Sequence, residues 1–132
     1  MMNDLIADAL TRIRNAAMRK LDVVTLVHSN TVEGVIKVLQ EKGYVDSFQV
    51  VEGDHNKKTI KVTLKYDDND NSVINELKRL SKSGRRAYKS SAELKSFKNG
   101  YGTIVVSTNK GIIANDEAYK LNVGGEVLCS VW

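Results

Sequence analysis

The chain has 132 residues, of which 42% are hydrophobic, and it contains two histidines, one cysteine and no proline. That length and apolar share suffice for one domain or for two small lobes, and 20 Lys+Arg against 16 Asp+Glu leave a formal net charge of +4, which permits a polyanionic partner without demanding one. The lone Cys129 cannot close an intramolecular disulfide, and no stretch has the pattern of a secretory signal or a membrane span, so the cytoplasm is the expected compartment and no membrane partner is expected.

From Asn3, the apolar residues Ile6, Ala9, Leu10, Ile13 and Ala17 recur at helical spacing, with Asn3 and Asp4 as cap and early acid. This predicts a first helix. Its other side carries Thr11, Arg12, Asn15 and Arg19, with Arg14 at the flank. Such a face is usually only solvated, yet Arg and Asn also suit phosphates and base edges. The β-branched run 22–27 predicts a strand. Ser29 or Asn30 then caps a second helix whose buried stripe is Val32, Val35, Ile36 and Leu39, with Glu33 three residues after Asn30 as in a capping box and Gly43 as its stop. Two further strands, 44–51 and 57–66, flank the loop 52–56, which has hairpin composition. In the second of them Ile60, Val62, Leu64 and Tyr66 face one way, and Lys61, Thr63 and Lys65 the other. A lysine row of this kind ordinarily marks an edge or a solvent face. Helix, strand, helix, strand, strand predicts an α+β lobe with its helices on one face of the sheet.

Residues 67–71, DDNDN, hold no apolar side chain and are the expected boundary. The stretch 72–80 is ambiguous, although Val73, Leu77 and Leu80 suit a helix. Lys78, Arg79, Lys82, Arg85 and Arg86 then concentrate positive charge around Gly84, with Tyr88 close behind. Cations beside an aromatic can neutralise phosphates and stack on a base or ribose; the competing reading is a plain charged turn with Tyr88 packed inward. Ser90 or Ser91 starts a helical turn running toward Phe97, and Asn99-Gly100 turns the chain back. Thr103-Ile104-Val105-Val106 predicts a buried strand. Ser107, Thr108, Asn109, Lys110 and Gly111 follow as a polar loop of five residues, holding hydroxyls, an amide and one cation but no acid. It is either a solvated connection or a surface for an anionic ligand. Asn115 as N-cap, with Asp116 and Glu117 in the first turn, predicts a short helix through Leu121, ended by Asn122 or Gly124. Gly124-Gly125 turns the chain into a closing strand over 126–132, where Cys129 is a packed thiol rather than a nucleophile.

Catalysis has little to work with. His28 and His55 lie in no metal-ligand spacing and beside no nucleophile, and Gly124-Gly125 precedes a strand, the wrong order for a phosphate loop on a helix N-terminus. No enzyme, metal or cofactor is expected. Two binding classes remain: a protein that holds RNA, and an interaction module that uses a sheet face on a protein partner and has no RNA affinity of its own. Salt separates them, because binding through several cations weakens steeply as salt rises.

Three stretches carry a resemblance. The closing GGEVLCSVW from Gly124 to Trp132, the loop Ser107-Thr108-Asn109-Lys110-Gly111 and the short helix between them resemble the C-terminal signature of the small-subunit ribosomal protein S8 family, bacterial type. Asp4 to Ala16, DLIADALTRIRNA, resembles that family's opening helix, and Ser81 to Tyr88, SKSGRRAY, its linker. The resemblance spans the whole chain. It implies an α+β fold of two small lobes: an N-terminal α-β-α-β-β unit over 1–66, a linker over 67–71, and a mainly β C-terminal unit with a short helix over 72–132, in which the segment 72–80 is a strand. It implies a structural protein of the ribosome that binds the central domain of small-subunit rRNA directly and early, helps assemble the platform of the small subunit, and lies beside neighbouring small-subunit ribosomal proteins. A family habit of binding its own operon mRNA through a mimic of the ribosomal site belongs to the same expectation.

Carried over by position, Ser107, Thr108, Asn109, Lys110 and Gly111 form the loop that meets the RNA, with Lys110 on phosphate. Tyr88 stacks or touches ribose, and Gly124 and Gly125 let backbone approach closely. Glu126 either holds the loop or accepts from a base amino group. Lys82, Arg85 and Arg86 join this surface as cations, and Arg12, Arg14 and Asn15 of the first helix supply secondary phosphate contacts. Leu5, Val27, Ser83 and Lys95 stand where the family often has proline, which leaves the unfolded chain freer by up to about 1 kcal/mol per site. Asn109 stands where a hydroxyl is common.

Overall fold

A computed structural model describes residues 4–132, and the chain divides by its internal contacts into a unit that runs through Ile74 and a second, Asn75–Trp132. The first unit opens with α1 (Leu5–Met18). The Asp4 carboxylate accepts from the Ala7 N–H at 3.0 Å and so fills the N-cap; the other expected cap, Asn3, lies outside the described residues. Ala9, Leu10, Ile13 and Ala16 are buried, so the stripe ends on Ala16 and the expected Ala17 lies only half-buried beside it. After β1 (Val23–Val27) comes α2 (Asn30–Glu41), capped by Ser29, whose hydroxyl accepts from the Val32 N–H at 3.0 Å. With Ser29 as the cap, Glu33 stands one position beyond the capping-box spacing. Its carboxylate meets His28 Nε2 at 2.8 Å instead. Gly43 at φ +82° supplies the left-handed residue that stops the helix.

Strands β2 (Val45–Glu52) and β3 (Lys58–Leu64) complete an antiparallel sheet in the order β1-β3-β2. Ile60 and Val62 of β3 are fully buried with Leu10, Ile13, Leu26, Ile36 and Leu39, while Lys61 points outward. Because β3 is the central strand, its lysine belongs to a solvent face and not to an edge. The outward face pairs Val23 with Thr63, Thr25 with Lys61 and Val27 with Thr59, and on the other side Ser47 with Thr63, Gln49 with Lys61 and Val51 with Thr59.

Residues 67–71 form a hydrogen-bonded turn. The Asp67 carboxylate accepts from the Asn69 and Asn71 N–H groups at 2.8 and 2.9 Å, and a bridge between Tyr66 and Ser72 closes it. In the second unit only Leu77–Arg79 of the ambiguous segment 72–80 forms a strand, β4, and the chain bends at Val73 and Asn75 ahead of it. Then follow β5 (Tyr88–Lys89), a 3₁₀ turn over Ser91–Leu94 in a capping box built by Ser90 and Glu93, β6 (Thr103–Thr108), β7 (Gly111–Ala114), α3 (Asn115–Lys120) and β8 (Gly125–Val131). The sheet runs β4-β8-β6-β7, with β5 also paired to β8. Leu94, Ile104, Val106, Ala118 and Val127 form a buried cluster under α3 and the 3₁₀ turn.

Two expectations about this unit are corrected. The five-residue loop 107–111 does not exist as such: Ser107 and Thr108 finish β6, Gly111 begins β7, and only Asn109 and Lys110 turn between the paired Thr108 and Gly111. The run Ile112-Ile113 is too brief to announce a strand unless its partner is known, which is why β7 escapes a reading of the residues alone. Asn115 is no N-cap either. Its buried side chain accepts from the Ile104 N–H at 2.9 Å and donates to the Leu94 carbonyl at 3.0 Å, tying α3 to the sheet and the 3₁₀ turn.

Candidate nucleic-acid interface

The N-terminal end of β8 gathers most of the candidate residues. Glu126 is paired across the sheet with Ser107 of β6 on one side and with Tyr88 of β5 on the other. Directly paired residues project from the same face, and strands lie about 4.8 Å apart, so Tyr88, Glu126 and Ser107 form a row roughly 10 Å long. Tyr88 is 69% exposed, which removes the reading of an inward-packed ring. One step along, Lys89 is paired with Gly125, and Thr108 with Gly111.

The turn beside the row is rigid for a local reason. The Thr108 hydroxyl donates to the Gly111 carbonyl at 2.8 Å and accepts from the Lys110 N–H at 3.0 Å, so it is used inside the turn. Gly111 sits at φ +105°, a conformation that disfavours any side chain. Asn109 and Lys110 are thereby held out in solvent, and Ser107 stays half-buried at the strand end.

The two glycines have an internal reason to be glycine. A Cβ on Gly124 would come within 2.5 Å of the Lys89 carbonyl oxygen, and one on Gly125 would overlap the Ser107 carbonyl. They let β5 and β6 close on β8, the close approach being between parts of this chain.

Glu126, 22% exposed in its side chain, is not a free acceptor. Its Oε2 takes a hydrogen bond from Ser81 Oγ and an ion pair from Arg86 Nη1 at 3.2 Å. Ser81 is fully buried, and its hydroxyl also accepts from the Ala87 N–H at 3.3 Å. Between them Lys82 and Arg85 exchange backbone hydrogen bonds of 3.0 and 2.9 Å around Ser83-Gly84. Lys82, Arg85 and Arg86 are all exposed. Ser81 was not among the residues that sequence reasoning put at the site, because its partner lies 45 positions away and nothing local signals the pair.

Arg12, Arg14 and Asn15 belong to α1 of the first unit. All three are exposed, but Arg12 is engaged: its Nε meets Asp8 Oδ2 at 3.0 Å and its Nη1 donates to the Thr25 carbonyl at 3.3 Å. Among the described residues no group of three or more His, Cys, Asp or Glu could hold a metal ion, and no helix is long and apolar enough to cross a membrane. Cys129 is fully buried in β8, and desolvation pushes its thiol up to about 12, leaving it inert as a nucleophile.

The arrangement suits an extended anionic ligand with hydroxyl-bearing edges: an aromatic face, a hydroxyl, an amide and several cations on one end of a sheet, with no free carboxylate in the row. The family model for ribosomal protein S8 matches residues 4–132. Over their full 132 residues and the whole of this chain, proteins named small ribosomal subunit protein uS8 are 72% identical in Aliarcobacter butzleri, 68% in Nautilia profundicola and 62% in Campylobacter jejuni. With a family model over nearly its whole length and such relatives over all of it, the chain belongs to the ribosomal protein S8 family, structural rather than catalytic proteins of the small ribosomal subunit.

Proposed function

We propose that the protein binds the central domain of small-subunit rRNA directly, through the end of the C-terminal sheet, and that this contact helps assemble the platform of the small subunit in the cytoplasm. The single observation that carries the reading is the row Tyr88–Glu126–Ser107 flanked by the Asn109-Lys110 turn and the basic segment 82–86. In this reading Tyr88 stacks on a base or lies on a ribose, and Ser107 and Asn109 bond 2′-hydroxyls and base edges. Lys110, Lys82 and Arg85 neutralise phosphate. Thr108, Gly111, Gly124, Gly125 and Glu126 contribute by shape, holding the turn and the strands that present those groups. Arg12, Arg14 and Asn15 add phosphate contacts from α1, with Arg14 and Asn15 the freer pair. Neighbouring ribosomal proteins complete the setting, and the same surface serves an operon mRNA that mimics the ribosomal site.

A titration of the full chain against a transcript of the central domain, with an unrelated RNA of equal length in competition, tests this. Retention of the transcript at competitor excess supports it, and equal displacement by the unrelated RNA contradicts it. A second reading, a protein-docking module without RNA affinity, draws on the outward face of the first sheet, where Val23, Val27 and Val51 are 38%, 43% and 37% exposed around threonines. It predicts partner binding insensitive to salt, whereas RNA binding through several cations falls steeply as salt rises.

A further inference from the structure

The segment between β4 and β5 leaves the sheet and returns to it. Leu80 N–H still bonds the Leu128 carbonyl at 3.0 Å, and Ala87 accepts from the Val127 N–H at 3.0 Å, so the chain departs from β8 after Leu80 and rejoins it at Ala87. Everything basic in the segment lies on the excursion: Lys82, Arg85 and Arg86 are exposed and Gly84 has open space around it. Ser81 stands at its base. A single buried hydroxyl there accepts from Ala87 at the far end of the excursion and donates to Glu126, which in turn holds Arg86. The Arg79 guanidinium also donates to the Ser81 carbonyl, fixing the residue from its main chain.

The geometry points to Ser81 as a positioning residue for RNA binding: it clasps the base of the 82–86 excursion and, through Glu126, sets Arg86 and its neighbouring cations beside the Tyr88–Glu126–Ser107 row. This rests on the function proposed above and deepens it, assigning Glu126 to the protein's own architecture and not to base reading. Without the hydroxyl, Glu126 loses a neutral donor and the Ala87 N–H an acceptor, both at a half-buried site where water is a poor replacement. The excursion then samples many conformations, and its cations meet phosphate at an entropic penalty. Arg86 spends one of its five N–H groups on Glu126 and keeps others for a phosphate, in an orientation that the carboxylate sets.

The test uses the full chain and the central-domain transcript, measuring affinity across a salt series for wild type, Ser81→Ala, the double variant Lys82→Gln/Arg85→Gln, and the triple combination. Ser81→Ala should weaken binding about tenfold and flatten the slope of log affinity against log salt by about 2, as expected when two or three phosphate contacts are lost. In the double-variant background the same change should cost less than in wild type, the remainder being the Arg86 contact, because Ser81 acts through the cations that it positions. Amide exchange should rise over 82–87 only. An unchanged salt slope in folded Ser81→Ala overturns the assignment. So does full additivity with the double variant, and so does a Ser81→Ala protein that no longer folds, since the serine then serves the whole unit. Failure of the wild type to prefer the transcript would instead strike the proposed function itself, so the two outcomes are distinguishable.

Discussion

The amide of Asn115 bonds in two directions at once, and few side chains in the second unit have more depending on them. Replacing it with alanine leaves the Ile104 N–H and the Leu94 carbonyl buried without partners. At about 1–3 kcal/mol for each of the two groups, Asn115→Ala should lose roughly 2–6 kcal/mol in urea denaturation. A loss under about 0.5 kcal/mol would mean that water reaches both groups. Cys129 makes a second prediction at this scale. Its thiol is raised from 9.0 to about 12 by burial. Folding therefore gains from the protonated thiol at every pH below 9, and that gain disappears as pH rises from 9 toward 12, because the unfolded thiol ionises first. Thiol reagents at pH 8 should modify Cys129 only as fast as the protein unfolds, and rapid labelling under native conditions would contradict the burial. Asparagine at a helix start ordinarily means a cap, and Asn115 was legible only in that role. What it does depends on Ile104 and Leu94, which sequence distance hides.

At the scale of elements, the contrast is between patterns that are local and pairings that are not. The apolar spacing of α1 and α2 and the alternation of β3 are visible in the residues because each element's own period writes them. The β6–β7 hairpin is not, since four residues, Gly111–Ala114, become a strand only through their pairing with Val105 to Thr108. Nor does composition alone show why Gly124 and Gly125 are both needed, a point set by the carbonyls of Lys89 and Ser107. Gly125→Ala should push β6 away from β8 and lower stability by about 1–3 kcal/mol. Loss of RNA affinity beyond that of a surface variant should accompany it. A native-like affinity and melting temperature would show that the strands have room to give. The Ser90–Glu93 capping box adds a pH dependence: hydrogen bonds from the Ser90 backbone and hydroxyl lower the Glu93 carboxyl below its usual value of 4.5. Its contribution is present above that value and fades as pH falls through the lowered one. The protection factors of amides in the 91–94 turn, exchange rates taken relative to the unfolded chain at the same pH, should therefore fall on acidification below about pH 4.5, and protection there that ignores pH would deny the box any role.

For the whole molecule, the family was legible because three separated stretches agreed, and the α+β class followed from the order of periodic segments. The residues that gather at the end of β8 come from positions 81–89, 107–111 and 124–126, and only the topology makes them neighbours. Hence Lys110 and Tyr88 could be named from the chain, while Ser81 could not. The internal division also depends on pairing: the acidic stretch 67–71 looks like a linker by composition, yet it folds as a turn, and the contacts divide after Ile74. The most direct test of the account is a filter-binding titration against the central-domain transcript at two salt concentrations, with Ser107→Ala/Lys110→Ala in parallel. Binding should be tight, weaken steeply with salt and be further weakened, about tenfold or more, by the double substitution. Binding that shows no preference for the transcript, or that the substitution leaves unchanged, would contradict it.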